Sequence, residues 1–342
     1  MSITIEDVAK AAGVSRQTVS RVINGKPGVK PAVREKIETA IAELGYVPNL
    51  AARRMGGARS FLIMAINDRE RTIENWAAGH GNDWVDQMLY GGMLACEARG
   101  YHMLFELIDT ETGKAVEQVR RVLTSLQPDG IILTQPHSEN PELAALLRER
   151  GRPFARIALP DANSDALCVH FDDAGAARAA VDHLTGLGHR KIAFLAGDRS
   201  YEASLVRREG YGDAMKDAGL EPLIAEGGYS FDKAGAIARD WLENGGPTAV
   251  IAENDEMAFA LLHVASKLGV EVPEQLSLIS FEDTPGARFA VPPLTAIRQP
   301  TAAMIARACE LLMDAAEGQP ANGDHCLPFD LIVRETTGPA PR

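Results

Sequence analysis

From residue 61 onward, short apolar runs alternate with helical stretches, and this alternation constrains the fold more than any other feature of the chain. Apolar runs at 61–66, 103–107, 130–133, 154–157, 167–171, 191–195, 249–252 and 276–281 have the length of strands. Between them, 85–99, 115–125, 174–186, 207–218, 233–243 and 255–268 carry apolar residues at helical spacing. Strands covered by helices on both faces read as unbroken apolar runs. The pattern therefore predicts an α/β body of parallel, doubly wound sheets. Roughly 280 residues exceed one doubly wound domain, so two lobes with a cleft between them are expected.

The residues before 61 follow a different rule. Thr4 can cap a short helix containing Val8, Ala9, Ala11 and Ala12, with Asp7 in its first turn and Gly13 stopping it. Ser15 caps a second helix that runs to Asn24-Gly25, and Pro31 opens a third with Val33, Ile37, Ala40, Ile41 and Leu44 on one face before Gly45. Two short helices joined by Ala12-Gly13-Val14-Ser15 fit a helix-turn-helix, whose second helix enters the major groove. Its outer face offers Arg16, Gln17, Ser20, Arg21 and Asn24, while Val14, Val19 and Val22 face inward. Arg can bind guanine and Gln adenine in bidentate fashion. Taken alone, these residues also fit a plain αα-hairpin with a solvated basic face.

Charge separates the two regions. Residues 1–60 hold ten Lys/Arg against five Asp/Glu, and the rest of the chain 25 against 42, so a net charge of -12 conceals a basic head on an acidic body. That asymmetry suits a head which meets phosphates. The four cysteines are scattered singly and the eight histidines lack tight ligand spacing, which predicts neither disulfide nor metal. No G-x-G-x-x-G follows the first strand, and neither G-x-x-x-x-G-K-[ST] nor G-x-S-x-G occurs; an enzyme and a bound cofactor are therefore not expected. The start lacks a secretory pattern and no run reaches membrane length, which leads us to expect a cytoplasmic, nucleoid-associated protein.

The residues also carry a family likeness. Thr4-Ile5-Glu6-Asp7-Val8-Ala9, Ala12-Gly13-Val14-Ser15, Thr18-Val19-Ser20-Arg21-Val22 and Tyr46-Val47-Pro48-Asn49 resemble the headpiece of the lactose/galactose-repressor family. The resemblance implies a headpiece over 1–47 in which Arg16, Gln17 and Arg21 read bases. Thr4, Ser15, Thr18, Ser20, Asn24 and Asn49 would contact phosphates or brace the fold. It further implies a hinge helix at 48–58 that enters the minor groove, with Arg53 beside a wedge at Met55, where the family usually has Leu.

The likeness continues through Asp182-His183-Leu184, Leu187-Gly188-His189-Arg190-Lys191, Gly210-Tyr211, Asn254-Asp255-Glu256 and Pro293-Leu294-Thr295. It implies a body over 59–338 similar to periplasmic sugar-binding proteins. The first lobe is expected at about 59–160 and 292–326, and the second at about 161–291 and 327–338. Crossovers fall near 159–164, 289–292 and 326–328. Effector residues implied at strand ends are Arg207, Asn254, Tyr229 and Glu282, the last standing where the family usually has Asp. Phe171 and Asp172 end another strand, and Asp68 and Gln135 are first-lobe candidates. For Phe171 and Tyr229, core packing explains the residues equally well.

The segment 67–83 is read as a long loop at the cleft mouth, a lid or a mere cover, with Trp84 favoured over Trp76 to stack on a ligand. The leading expectation is a homodimeric repressor of carbohydrate-utilisation genes, on a pseudo-palindromic operator, released by a sugar. A nucleobase or nucleoside effector is the alternative, and a doubly wound enzyme a more distant one.

Overall fold

A computed structural model describes residues 3–23, 27–46, 59–78, 83–159, 166–320 and 322–342. The chain divides into a small unit, Met1–Phe61 with Leu126–Asp129, and a large one that holds the remainder.

In the small unit, α1 (Ile5–Ala12), α2 (Arg16–Ile23) and α3 (Pro31–Leu44) surround one core of Val8, Val19, Val22, Ile37, Ala40 and Tyr46. Thr4 and Asp7 close a reciprocal capping box, which satisfies donors at the start of α1. Gly13 sits at φ 66°, a left-handed conformation that costs glycine little and lets the chain turn directly into α2. Lys30 precedes α3 without a side-chain cap; Pro31 at the first turn needs no partner for its nitrogen.

The large unit contains, among the described residues, two six-stranded sheets. The first runs β11 (Asp324–Leu327), β5 (Leu167–Phe171), β4 (Phe154–Ile157), β3 (Gly130–Leu133), β1 (Leu62–Asp68), β2 (His102–Ile108). The second runs β12 (Asp330–Ile332), β10 (Thr295–Arg298), β9 (Ser277–Phe281), β8 (Ala249–Ala252), β6 (Ile192–Ala196), β7 (Leu223–Glu226). Every pair is parallel except β10 with β12. Strands β1, β3, β6, β8 and β9 are buried along their whole length, as expected for strands covered on both faces.

The pairing corrects two lobe boundaries. Strand β5 was expected in the second lobe, yet it pairs with β4, so the first lobe extends past 160 to Phe171. The chain crosses there into α8 (Asp173–Gly186), which packs on α9 (Glu202–Asp217) of the second lobe. Strand β10 was expected in the first lobe, yet it pairs with β9 in the second. The return crossing therefore follows Arg298, and α13 (Thr301–Ala316) then packs on β3, β4 and β5. The third crossing passes through Pro328 and Phe329 between β11 and β12. An apolar run reveals that a strand is buried, not which sheet accepts it, and both misplaced boundaries come from that ambiguity.

The segment after β1 is also corrected. It contains a helix, α4 (Arg69–Ala78), followed by α5 (Asp83–Ala98), with 79–82 outside the described residues. Its polar composition hid the helix, which buries little beyond Thr72.

Candidate functional site

On the head, the Ser15 hydroxyl accepts from the Thr18 N–H at 3.2 Å and lies 2.8 Å from the Thr18 hydroxyl. Ser15 and Thr18 therefore brace the start of α2. Thr4 donates both its N–H and its hydroxyl to Asp7, which holds that carboxyl below its ordinary range. Arg16, Gln17 and Arg21 are exposed and Ser20 is half-exposed, while Val19 and Val22 of the same helix are buried. Arg16 pairs with Glu6 at 3.1 Å, an exposed contact that solvent or a nucleic acid can easily displace. Asn24, Asn49, Arg53 and Met55 lie outside the described residues, and so does the segment 48–58.

In the body, the carboxyl ends of the strands converge on a cavity of about 330 Å³. Its polar centre is Arg207. The Arg207 Nε donates to Asp173 Oδ1 at 2.6 Å, and its Nη1 stands 3.6 Å from Glu253 Oε1. The guanidinium lies over the rings of Phe281 at 4.8 Å and Phe171 at 5.6 Å. Burial opposes the Arg207 charge, but Asp173, Tyr229 and Glu253 outweigh it and hold the group cationic. Burial likewise pushes the Asp173 and Glu253 carboxyls up, while Arg207 pulls them back.

Glu253 organises the second-lobe wall. It accepts from the Gly197 N–H at 2.5 Å, the Ser204 hydroxyl at 2.8 Å and the Tyr229 hydroxyl at 2.9 Å. The Tyr229 ring then meets Tyr201 edge-on at 5.8 Å and has the Arg71 guanidinium over its face at 4.9 Å. A Cβ on Gly197 would stand 2.1 Å from that ring, so only glycine leaves room for it.

Asn254 lines the cavity, and its Oδ1 accepts from the Met257 N–H at 2.9 Å as the cap of α11 (Asp255–Leu268), which fixes the amide and leaves its NH2 donors for a ligand. Glu282 sits at φ 107° after β9, and its Oε2 accepts from the Asp255 N–H at 3.3 Å. Burial and the Asp255 carboxylate beside it push Glu282 well above the ordinary carboxylate range. Burial also raises Asp255, to about 6.

Across the cavity, Asp68, Gln135 and Phe171 of the first lobe all contribute to the lining. Asp68 accepts the Tyr201 hydroxyl at 2.7 Å and Gln135 accepts the Ala203 N–H at 3.3 Å, so both reach over to the second lobe. Trp84, half-buried at the start of α5, lines the cavity, whereas Trp76 is exposed and does not. Asp172 is a correction. It is exposed and caps α8 through the Gly175 N–H at 2.8 Å, and its neighbour Asp173 faces the cavity instead. One step along an extended chain reverses the side chain, which explains the exchange.

Sequence reasoning missed Arg71, Asp173, Tyr201 and Glu253. The signals were present for two of them: Asp173 is half of an acidic pair at a strand end, and Glu253 directly follows a buried strand. Among the described residues no group of His, Cys, Asp or Glu is arranged to hold a metal.

Comparison with known proteins connects both regions. The profile of bacterial regulatory proteins, lacI family, matches residues 4–49, and that of a periplasmic binding protein-like domain matches residues 181–337. The chain is 34% identical over 345 residues to the HTH-type transcriptional regulator CelR of Thermobifida fusca, covering 97% of this chain and 98% of that one. It is 28% identical to the lactose operon repressor of Escherichia coli K12, covering 98% and 91%. The crystal structure of the lac repressor dimer bound to operator and the anti-inducer ONPF superposes with a TM-score of 0.81 at 27% identity, covering 99% of this chain and all of that one. The CelR–cellobiose complex gives a TM-score of 0.71 at 31% identity, covering 98% and 99%.

Proposed function

The chain belongs to the lacI family of bacterial regulatory proteins, and we infer from that membership that it represses carbohydrate-utilisation genes and leaves its operator when a sugar fills the cleft of its body. Its relatives are DNA-binding transcription regulators rather than enzymes. No described helix is long and apolar enough to cross a membrane, and a regulator of this kind works in the cytoplasm, at the nucleoid.

The observation that carries the sugar reading is the Arg207 centre. A cation fixed by Asp173 and Glu253 stands beside the Asn254 amide and the Glu282 carboxyl, opposite Trp84. Sugar hydroxyls need donors and acceptors at fixed positions, and the apolar face of a sugar ring packs on an aromatic one. The wall supplies both. The CelR relative is solved with cellobiose, which is consistent with this chemistry.

On the head, Arg16, Gln17 and Arg21 are assigned to reading bases, with Thr4, Ser15, Thr18, Ser20, Asn24 and Asn49 as positioning or phosphate contacts. Arg53 and Met55 are assigned to the minor groove by their place in the sequence. A pseudo-palindromic operator mirrors a two-fold dimer. Exposed apolar side chains that such a dimer could cover include Tyr90, Met93 and Leu94 on α5 and, on the second lobe, Phe289 and Val291. Leu312 and Met313 of α13 are buried in the first lobe and so are not available to it.

The test is operator release. A labelled operator recovered by selection from random DNA is bound to the protein and followed by anisotropy while cellobiose, glucose, xylose and uridine are added. Release by one sugar and not by uridine supports the reading. Release by uridine alone overturns it in favour of a nucleoside effector.

A further inference from the structure

Helix α4 is anchored to the first lobe by polar contacts at its start. Asp68 Oδ1 accepts the Arg71 N–H at 3.1 Å, and the Thr72 hydroxyl donates to the Asp68 carbonyl at 2.6 Å. The Asn67 amide donates to that hydroxyl at 2.9 Å and accepts the Thr134 hydroxyl at 2.8 Å. The first turn of α4 is thereby tied to the ends of β1 and β3. From this base the Arg71 side chain crosses to the second lobe. Its Nη2 donates to the Tyr229 carbonyl at 3.2 Å and to the Gly228 carbonyl at 3.4 Å, and its guanidinium lies over the Tyr229 ring at 4.9 Å.

The turn that receives Arg71 is shaped to present these carbonyls. Gly228 and Tyr229 stand at φ 61° and 56°, a left-handed conformation that costs a residue with a Cβ. Within the turn, the Gly227 and Gly228 N–H groups both donate to the Ala196 carbonyl, at 2.8 and 3.0 Å, and the Gly227 carbonyl accepts the Ser230 N–H at 3.1 Å. The next two carbonyls find their donor, among the described residues, in Arg71. A cationic donor makes a stronger hydrogen bond to a carbonyl than a neutral one does.

We propose that Arg71 is a positioning residue for effector capture, a clasp that moves with the first lobe and holds the cleft shut by gripping the Gly228–Tyr229 turn, a role that rests on reading the cleft as the sensing pocket. Its place in the fold gives it leverage. The crossings leave the sheets at β5, β10, β11 and β12, toward one end of each strand order, whereas α4 follows β1 and the turn follows β7, toward the other. The grip also fixes the pocket. The Tyr229 ring that Arg71 covers donates its hydroxyl to Glu253 at 2.9 Å, and Glu253 stands 3.6 Å from the Arg207 guanidinium. Closing the clasp and ordering the polar centre are thus one event.

The test reads closure first without an effector. Spin labels are placed at Glu117→Cys and Ala236→Cys, exposed positions on opposite lobes, in a Cys326→Ser background that removes the exposed thiol. Inter-lobe distances are then measured by electron–electron double resonance. The short-distance population should shrink in Arg71→Met, which keeps an apolar stem and loses the donors. Arg71→Lys should retain most of it, because an ammonium still donates to a carbonyl. Stopped-flow measurements with cellobiose as probe should show dissociation about tenfold faster from Arg71→Met, with association unchanged. Distances that ignore Arg71→Met, or cellobiose leaving that variant at the wild-type rate, overturn the clasp. Equal opening in Arg71→Lys and Arg71→Met also overturns it, since hydrogen bonding would then not be what holds the turn. Opening in Arg71→Met alone, with no cellobiose binding to the wild type, supports the clasp and counts only against this sugar as effector.

Discussion

Arg207 and Asp173 form a buried ion pair, Nε to Oδ1 at 2.6 Å, that joins the second lobe to the first residue after the crossing from β5. Their side chains are only 6% and 8% exposed, so neither charge can turn to water if the other is lost. Asp173→Ala should lower stability by about 3–5 kcal/mol, because it removes the hydrogen-bonded partner of a buried Arg207 and leaves the more distant Glu253 carboxyl as its counter-charge. The double variant Asp173→Ala with Arg207→Leu should recover part of that loss. Denaturant unfolding of both variants checks this, and equal destabilisation of the two would show that the pair is not coupled.

Glu282→Gln should behave in the opposite way as pH rises. Burial and Asp255 raise the Glu282 carboxyl well above 4.5, so ionising it in the folded protein costs stability that the unfolded chain does not lose. The variant should match the wild type in acid and exceed it progressively as pH climbs above that ordinary value. Melting temperatures from pH 4 to pH 9 provide the comparison; parallel curves would contradict the assignment.

Trp84 and Trp76 should separate cleanly. Trp84 is half-buried in the cavity wall and Trp76 is exposed away from it. Trp84→Ala should weaken effector binding about tenfold, the loss of one stacked aromatic face, while Trp76→Ala leaves it unchanged. Intrinsic fluorescence during effector titration reports the same distinction, because the quenched signal should disappear only with Trp84.

Operator preference should lie in α2. Gln17→Ala or Arg21→Ala should each cost about 1–3 kcal/mol and relax one base position in every half-site. Selection from random DNA with each variant reads this directly, and unchanged base preference would reassign both side chains to the phosphates.

The eight strands predicted from apolar runs, and most helices, were legible because each carried an apolar run or a helical apolar stripe. Strands β7, β10, β11 and β12 were not, the last two for want of any apolar run. Their residues are exposed or half-buried, and Asp324-His325-Cys326-Leu327 has no apolar run to betray a strand. The lobe assignment of β5 and β10 was illegible for a different reason, since it depends on pairing partners far along the chain. In the cleft, Arg207, Asn254 and Glu282 were found by family likeness. Arg71 and Tyr201 were missed because their partners, the carbonyls of Gly228 and Tyr229 and the Asp68 carboxylate, are brought near only by the tertiary fold.

The third crossing has a consequence for how the molecule is made. Both sheets take their last strand, β11 in one lobe and β12 in the other, from residues 324–332, more than 270 residues after the head. The head, whose core lies wholly within residues 5–46, can fold as soon as it leaves the ribosome. The sensing lobes must wait until residue 332 has been made. During synthesis each nascent molecule therefore passes through a period in which the DNA-reading helix is formed and the sheets that would control it are still unfinished.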